Sequence, residues 1–496
     1  MNVLLTHGYF LPLDPKEAAL HRPYPPLASL TMAAWLKEKL GLEVHFYDVM
    51  FDGGPEGLVQ AVRKHRPDVL IVYDDDFNFL TKMCLENMRR TVFAAVAQLE
   101  QVPLRIVHSS DASDQAEAYL QAGFQVVVHR NAEKALVDLL AAYRRRPSLE
   151  ALQHMPSLSL NTANGIVHTP PLRQNFPPEE TPFPRWELID LEPYRRQWLK
   201  HHSYFSLNVS TSHGCPYGCN WCAKPLYGRT YRAIPPERVA EEFRRLKVEL
   251  GADHIWVTDD IFALQPGWLE RFARELERRQ IHVPYKCLSR ADLITEPFAA
   301  LLARTGCQEI WLGVESGSQR VLDAMDKRLR VTDAIRARQI LGNHGIRTCF
   351  FLQFGYLGET LADIQATWRL IRHTRPSDIG ISVSYPLKGT PFYQTVQNLL
   401  GAKRNWLHSG DLDLMYPGTY PRSFYREVYR FTHLMFGWIR LRQAQPLGGQ
   451  LRLLVRQIIF LPELVLRYLR IRWTAWRKAT PPDPDWMVHK VRYSEK

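Results

Sequence analysis

Ser212-His213-Gly214-Cys215-Pro216-Tyr217-Gly218-Cys219-Asn220-Trp221-Cys222 sets three cysteines in a C-x3-C-x2-C run. The preceding residues, Phe205–Ser210, read as a strand, so the run falls on the loop where that strand ends. Thiolates are the natural ligands of iron–sulfur clusters. Three of them on one short loop can hold three irons of a four-iron cluster and leave the fourth iron open. Gly214 and Gly218 let such a loop curl without Cβ clashes. Trp221 offers a flat apolar face on which a purine could pack. Two other readings stay open from the residues alone: half of a zinc site with its remaining ligand elsewhere, or a buried group of thiols that ligates nothing. Zinc favours paired C-x2-C knuckles, and the sequence has no second knuckle.

Outward from this loop, residues 201–392 alternate strands and helices. The strands are expected at Phe205–Ser210, His254–Thr258, Tyr285–Leu288, Glu309–Gly313, Arg347–Phe354 and Asp378–Ser384. Helical patterns lie between them at Pro236–Glu249, Trp268–Arg279, Pro297–Thr305, Val331–His344 and Thr360–His373. Six strand-helix units fit a partial (β/α)6 TIM-like barrel, whose active residues gather where strands end. Polar residues recur at those ends: Thr258-Asp259-Asp260, Ser289-Arg290-Ala291-Asp292, Gly313-Val314-Glu315-Ser316, Gly355-Tyr356-Leu357-Gly358-Glu359-Thr360 and Tyr385-Pro386-Leu387-Lys388-Gly389.

Residues 1–145 show a second alternation. Strands are expected at Val3–Thr6, Glu43–Tyr47, Val69–Val72, Arg105–Val107 and Val126–Val128. Amphipathic stretches lie between them, such as Leu30–Lys39, Gly57–Lys64 and Asp114–Ala122. The pattern predicts an α/β, doubly wound, Rossmann-like sheet that binds ligands at its strand C-termini. Residues 146–200 are too rich in proline for a long helix and read as a linker. Leu158–Leu160 and Ile166–His168 resemble a small hairpin turned by Asn164-Gly165.

Residues 393–496 lose this rhythm and read as a helical, basic C-terminal region. The net charge is +12. Between Arg440 and Lys478 nine Lys/Arg stand against Glu463 alone, so the basic character is chiefly C-terminal and argues against a nucleic-acid partner. Projected as a helix, Glu463–Lys478 puts Val465, Leu469, Trp473 and Trp476 on one face, and Arg467, Arg470, Arg477 and Lys478 on the other. Such a helix could lie on an anionic membrane surface, or pack on the protein's own core and leave a solvated basic face. The first ten residues lack the features of a secretory signal, and no apolar run is long enough to span a bilayer. Three clustered cysteines of seven suit a reducing cytoplasm and a metal. Cys84, Cys287, Cys307 and Cys349 stand alone and read as core packing.

The cysteine loop resembles the signature of the radical S-adenosylmethionine (SAM) superfamily. The wider chain, about residues 1–395, resembles its subgroup with an N-terminal cobalamin-binding Rossmann domain. Within it the nearest branch is that of the anaerobic magnesium-protoporphyrin monomethyl ester oxidative cyclase and related methyltransferases. Arg22-Pro23-Tyr24-Pro25-Pro26-Leu27 is similar to a motif of that branch. The resemblance implies a [4Fe–4S] cluster on Cys215, Cys219 and Cys222, which cleaves SAM to methionine and a 5′-deoxyadenosyl radical. It directs Asp259 and Glu315 toward the ribose or amine of SAM and Arg290 toward its carboxylate, with Trp221 against adenine. It also implies an apolar small-molecule substrate, methylated or oxidatively cyclised, and an external electron donor of the flavodoxin or ferredoxin type. A non-catalytic iron–sulfur or zinc scaffold is the alternative function.

For cobalamin the domain order and the residues disagree. The domain order favours it, but no D-x-H-x-x-G is present. Ser109-Ser110 and Arg130-Asn131 stand where relatives have glycines, and Asp74-Asp75-Asp76 is unusual. A large planar ligand needs close backbone approach, so weak or absent binding is expected. A Rossmann domain kept for structure or for another ligand is the rival reading.

Overall fold

The computed structural model describes residues 1–74, 82–130, 132–222, 229–443 and 450–478. Asp75, Asp76, Asn131 and the last 18 residues, 479–496, lie outside the described residues. The chain divides into two compact units. The first comprises Met1–Pro216, Ala223–Cys287 and Asn405–Asp411. The second comprises Tyr217–Cys222, Leu288–Arg404 and Leu412–Lys496.

The first unit opens with strands β1 (Val3–Thr6), β2 (Val44–Tyr47), β3 (Val69–Tyr73), β4 (Leu104–His108) and β5 (Val126–Val128). They pair in parallel in the order β2-β1-β3-β4-β5. β1, β3, β4 and β5 are buried throughout, as strands covered on both faces must be. Their Val, Ile and Leu runs carry that burial in the sequence. The helix Leu27–Leu40 buries every residue from Leu27 to Leu36. Hydrogen bonds from side chains also fix this layer: Ser29 Oγ donates to the Tyr73 carbonyl at 2.6 Å.

β6 (Leu158–Thr162) and β7 (Gly165–His168) form the expected hairpin. It extends the first sheet, β6 pairing antiparallel with β5. A helix, Glu192–His202, follows the proline-rich stretch. The stretch Asp114–Ala122, expected as one helix, is two short ones, Ser110–Asp114 and Ala116–Gln121, because Gln115 leaves helical geometry at φ −132°.

The second sheet is an open partial barrel in the order β15-β14-β13-β12-β11-β8. Its strands are β8 (Ser206–Val209), β11 (His254–Val257), β12 (Tyr285–Ser289), β13 (Cys307–Glu315), β14 (Arg347–Phe354) and β15 (Asp378–Val383). The pairs β8–β11, β11–β12, β13–β14 and β14–β15 are parallel. All six fall where the sequence placed them, with ends shifted by up to two residues. Between β8 and β11 a two-stranded ribbon forms from β9 (Ser212–His213) and β10 (Arg232–Ala233). Within the first unit the Arg22–Leu27 segment is bound to β8. Tyr24 Oη lies 3.2 Å from Ser206 Oγ, and Asn208 Nδ2 donates to the Pro25 carbonyl at 3.1 Å.

The C-terminal region is helical at Pro391–Val396, Arg422–Gln443 and Gln450–Lys478. The last helix is longer than the Glu463–Lys478 segment read from the sequence and runs through Pro462. Proline lacks one donor but leaves the turns on either side intact.

Candidate active site

The cysteine loop leaves the barrel at β9. In the first unit, Asp259, just past the end of β11, secures the root of that loop. Its carboxylate accepts from the Thr211 N–H at 2.7 Å, from Ser212 Oγ at 2.6 Å and from Thr211 Oγ1. The side chain is buried, and burial pushes its carboxyl up to about 6 against these hydrogen bonds, which pull it down. Tyr231 lies beside Ser212 and Asp259, and burial raises its phenol to about 12. Gly214 adopts φ +79°, which an L side chain resists, and this turns the chain into Cys215. Cys215 is fully buried. Asp259→Ala would strand three donors inside the protein. It should lower stability by about 3 kcal/mol and reduce iron incorporation. Urea unfolding and iron analysis read both; unchanged iron content would remove Asp259 from this role.

In the second unit, the rest of the loop is pinned from two sides. Asn220 donates its backbone N–H to Met325 O at 3.0 Å, and its side chain bonds Ala324 O at 2.8 Å and Asp326 at 2.9 Å. Tyr356 Oη donates to the Asn220 side-chain oxygen at 3.1 Å. Arg290, buried just after β12, stacks on Tyr217 with its guanidinium carbon 3.8 Å from the ring centre. Its Nη1 stands 3.9 Å from Cys219 Sγ. Its Nε and Nη2 go to Asp292 at 3.0 and 3.1 Å, and Nη2 also reaches the carbonyls of Lys327 and Arg328. Burial works against the charge of Arg290, but Asp292 outweighs it and holds the guanidinium above its ordinary value. Only the Nη1 edge keeps no oxygen acceptor among the described residues.

Glu315 ends β13 at φ +65°, an unusual conformation for a residue with a Cβ, at a register shift between Gly313 and Glu315. It is buried and pairs with Lys327 Nζ at 3.0 Å. The same Nζ lies 5.9 Å from the centre of the Trp221 ring. Two polar atoms here are buried with no hydrogen-bond partner among the described residues: Trp221 Nε1 and Ser289 Oγ. Buried donors are normally satisfied, so both fit a bound polar ligand. Downstream, Gly317 sits where a Cβ would come within 2.5 Å of the Ala366 carbonyl, which lets the β13 loop lie directly on the helix Leu361–Thr374.

The second unit thus brings Cys219, Cys222, Trp221, Arg290 and Glu315 onto one connected set of contacts. Cys215 and Asp259 belong to the first unit. Lys327, Asn220 and Tyr356 were not singled out from the sequence. No group of three His, Cys, Asp or Glu among the described residues is close enough to hold a single metal ion. Three thiols on one loop suit a cluster, in which each binds a different iron. Cys84, Cys287, Cys307 and Cys349 are all buried, as core packing requires.

Glu359, in the loop after β14, accepts the Gly355 N–H at 2.6 Å. Burial pushes its carboxyl from an ordinary 4.5 up to about 8. The folded value lies above the unfolded one. Its contribution to stability is therefore whole below about 4.5 and is lost as pH rises through about 8. Glu359→Gln should leave stability near pH 4.5 almost unchanged. The variant should then escape a loss of about 1.4 kcal/mol per pH unit that the natural chain suffers between about pH 4.5 and about pH 8. Melting curves at the two ends of this window test this; parallel curves for the two proteins would contradict it.

At the switch point of the first sheet, beyond the ends of β1, β3 and β4, a cavity has about 340 Å³ of empty space. Gly8, Asp74, Met88, Arg89, Asp111 and Tyr119 line it. Asp111 is bound by Arg89 at 2.8 and 3.0 Å and by Tyr119 Oη at 2.9 Å. The neighbouring loops are tied by their own side chains: Ser109 Oγ caps the helix at Ala112 N, and Arg130 pairs with Asp114 at 3.1 Å. These contacts occupy the described parts of the loops that follow β4 and β5.

Residues 209–371 match the Radical SAM superfamily. Over 80% of its length the chain is 24% identical to an uncharacterised methyltransferase of Pyrococcus horikoshii, of which it covers 84%. Over 76% it is 23% identical to the anaerobic magnesium-protoporphyrin IX monomethyl ester cyclase of Cereibacter sphaeroides, covering 61% of that protein. Over 53% it is 26% identical to the hopanoid C-3 methylase of Methylococcus capsulatus, covering 51%. Two solved structures share the fold. One is the radical SAM methyltransferase TsrM of Kitasatospora setae with cobalamin and a [4Fe–4S] cluster bound. It has a TM-score of 0.64 and 20% identity, over 80% of this chain and 76% of that one. The other is the cobalamin-dependent radical SAM enzyme OxsB, with a TM-score of 0.71 and 14% identity, over 99% and 74%. Residues 209–371 are a radical SAM domain, and the chain is an enzyme of radical SAM type.

Proposed function

We propose that this enzyme cleaves SAM and functionalises an unactivated carbon of an apolar small molecule, by methylation or oxidative cyclisation. One observation carries the reading. Cys219, Trp221 and Arg290 lie on one connected set of contacts, with the indole N–H and the Nη1 edge still open to a ligand. Cys215, Cys219 and Cys222 would hold the cluster, which when bound supplies the electron for SAM cleavage.

The protein's own share is positioning. Arg290 anchors Tyr217 beside Cys219 and presents its Nη1 edge to a carboxylate. Trp221 offers a ring face and an N–H to adenine. Glu315, with Lys327 as its counter-charge, presents a fixed anion to the amine or ribose. Asp259 acts on the cofactor by holding the loop root. An external electron donor of the flavodoxin or ferredoxin type completes the cycle. Methyltransferases and a cyclase among the relatives support both outcomes on carbon, and the scaffold alternative has no support among them.

Cobalamin enters no step here. The two solved neighbours favour it, and the closed loops beyond β4 and β5 oppose tight binding. Anaerobic titration with hydroxocobalamin should give weak binding; tight stoichiometric binding would overturn that part. The function itself is tested by anaerobic incubation with SAM and dithionite. Release of 5′-deoxyadenosine supports the reading, and S-adenosylhomocysteine beside it assigns methyl transfer. Intact SAM in an iron-loaded preparation would refute it.

A further inference from the structure

The helix Gln450–Lys478 carries an unusual surface. Thirteen large apolar side chains are exposed among the described residues, and six lie on this one helix: Leu461, Val465, Leu466, Leu469, Trp473 and Trp476. Trp476 is 81% exposed. At about 100° per residue they form one stripe along the helix. The opposite face is engaged within the second unit. Ile471 and Ala475 are buried there, Gln365 Nε2 lies 3.3 Å from Tyr468 Oη, and Arg467 pairs with Glu427 at 2.6 Å. The exposed stripe is therefore not the face that packs on the protein. Arg467, read from the sequence as part of a solvated basic face, is instead committed to Glu427 and Glu463.

The charges around the stripe have one sign. Arg470 and Arg477 flank it, and Arg472 projects from within it. None of the three has an acidic partner among the described residues. Arg477 lies against Trp473, 4.7 Å from its ring centre. The nearby acid, Glu463, is taken up by Arg467 at 2.7 Å. Tryptophan beside arginine suits a boundary that is apolar on one side and anionic and wet on the other. A protein partner would have to bury unpaired arginines, which lipid phosphates neutralise instead. No helix among the described residues is long and apolar enough to cross a membrane, so contact along the surface is the geometry left to this one.

We propose that residues 461–477 dock the enzyme on an anionic lipid surface, the apolar stripe entering the headgroup region and Arg470, Arg472 and Arg477 meeting phosphates. This goes beyond the proposed reaction and does not rest on it. The test is flotation of the full-length, iron-loaded protein with vesicles of phosphatidylglycerol and phosphatidylcholine, against vesicles of phosphatidylcholine alone. The protein should float with the first and not the second, and high salt should release it. Arg470→Glu with Arg472→Glu and Arg477→Glu should weaken binding by on the order of 100-fold or more. Trp473→Ser with Trp476→Ser should also weaken it, with circular dichroism and iron content unchanged. The salt series on the natural chain decides the matter if a variant fails to fold. Equal binding to both vesicles, or none to either, would overturn the proposal. So would a dimer in gel filtration that the tryptophan variant converts to monomer, because a second copy would then be the occupant.

Discussion

Cys215→Ala, Cys219→Ala and Cys222→Ala should each reduce 5′-deoxyadenosine formation from SAM to background, with iron content falling in all three. The reason is stoichiometric: on the proposed assignment three loop thiols would serve a cluster that must keep one iron open, so none is spare. Burial alone does not separate the two sets, because Cys215 is buried as Cys84, Cys287, Cys307 and Cys349 are. At Cys349, however, burial pushes the thiol well above its ordinary range. A thiol held neutral is a poor ligand. Cys349→Ala and Cys84→Ala should therefore keep their iron and their SAM cleavage, losing only packing. Iron analysis and product chromatography read both sets. Full iron loading in the Cys215→Ala, Cys219→Ala, Cys222→Ala triple variant would refute the ligand assignment.

Arg290→Ala should have the next largest effect, and it should act on the cluster as well as on SAM. The guanidinium joins five groups: Tyr217, Cys219, Asp292 and the carbonyls of Lys327 and Arg328. Its removal strands a carboxylate and two carbonyls and frees the middle of the loop. A buried pair broken from one side costs about 3–5 kcal/mol. Iron content should drop and SAM affinity should fall at least about tenfold. Arg290→Lys keeps the charge but loses the planar fork, so it should recover little. Glu315→Gln is the comparison. It touches Lys327 and not the loop cysteines, so it should weaken SAM binding while leaving iron in place. Calorimetric SAM titration and iron analysis separate the two variants. Equal loss of iron in both would contradict the division of roles.

The strands were legible because each is a short apolar run followed by a polar strand end, and the barrel spacing repeats that unit six times. The cysteine loop was legible because its ligands are contiguous in sequence. The residues that hold the loop were not. Asn220 was hidden inside the motif as a spacer. Lys327 lies in a turn between the helices Gln319–Ala324 and Val331–Asn343. Asp326 and Arg328 on either side take left-handed backbone, at φ +51° and +50°. Nothing in local composition announces such a turn, because neither residue is glycine. The burial of Asp259 under Thr211 and Ser212 depends on β11 lying beside β8, a pairing that periodicity does not give. The C-terminal helix was legible as amphipathic, but which face meets the protein was not. That depended on Glu427, forty residues upstream of Arg467.

The measurement closest to the central claim is electron paramagnetic resonance of the anaerobically reduced protein, before and after addition of SAM. A reduced [4Fe–4S] cluster should give a signal in the natural chain, and SAM should change its shape because the ligand binds the open iron. In Cys219→Ala the signal should be absent or indifferent to SAM. A preparation that holds zinc in place of iron, or an iron–sulfur signal that SAM leaves untouched, would contradict the account.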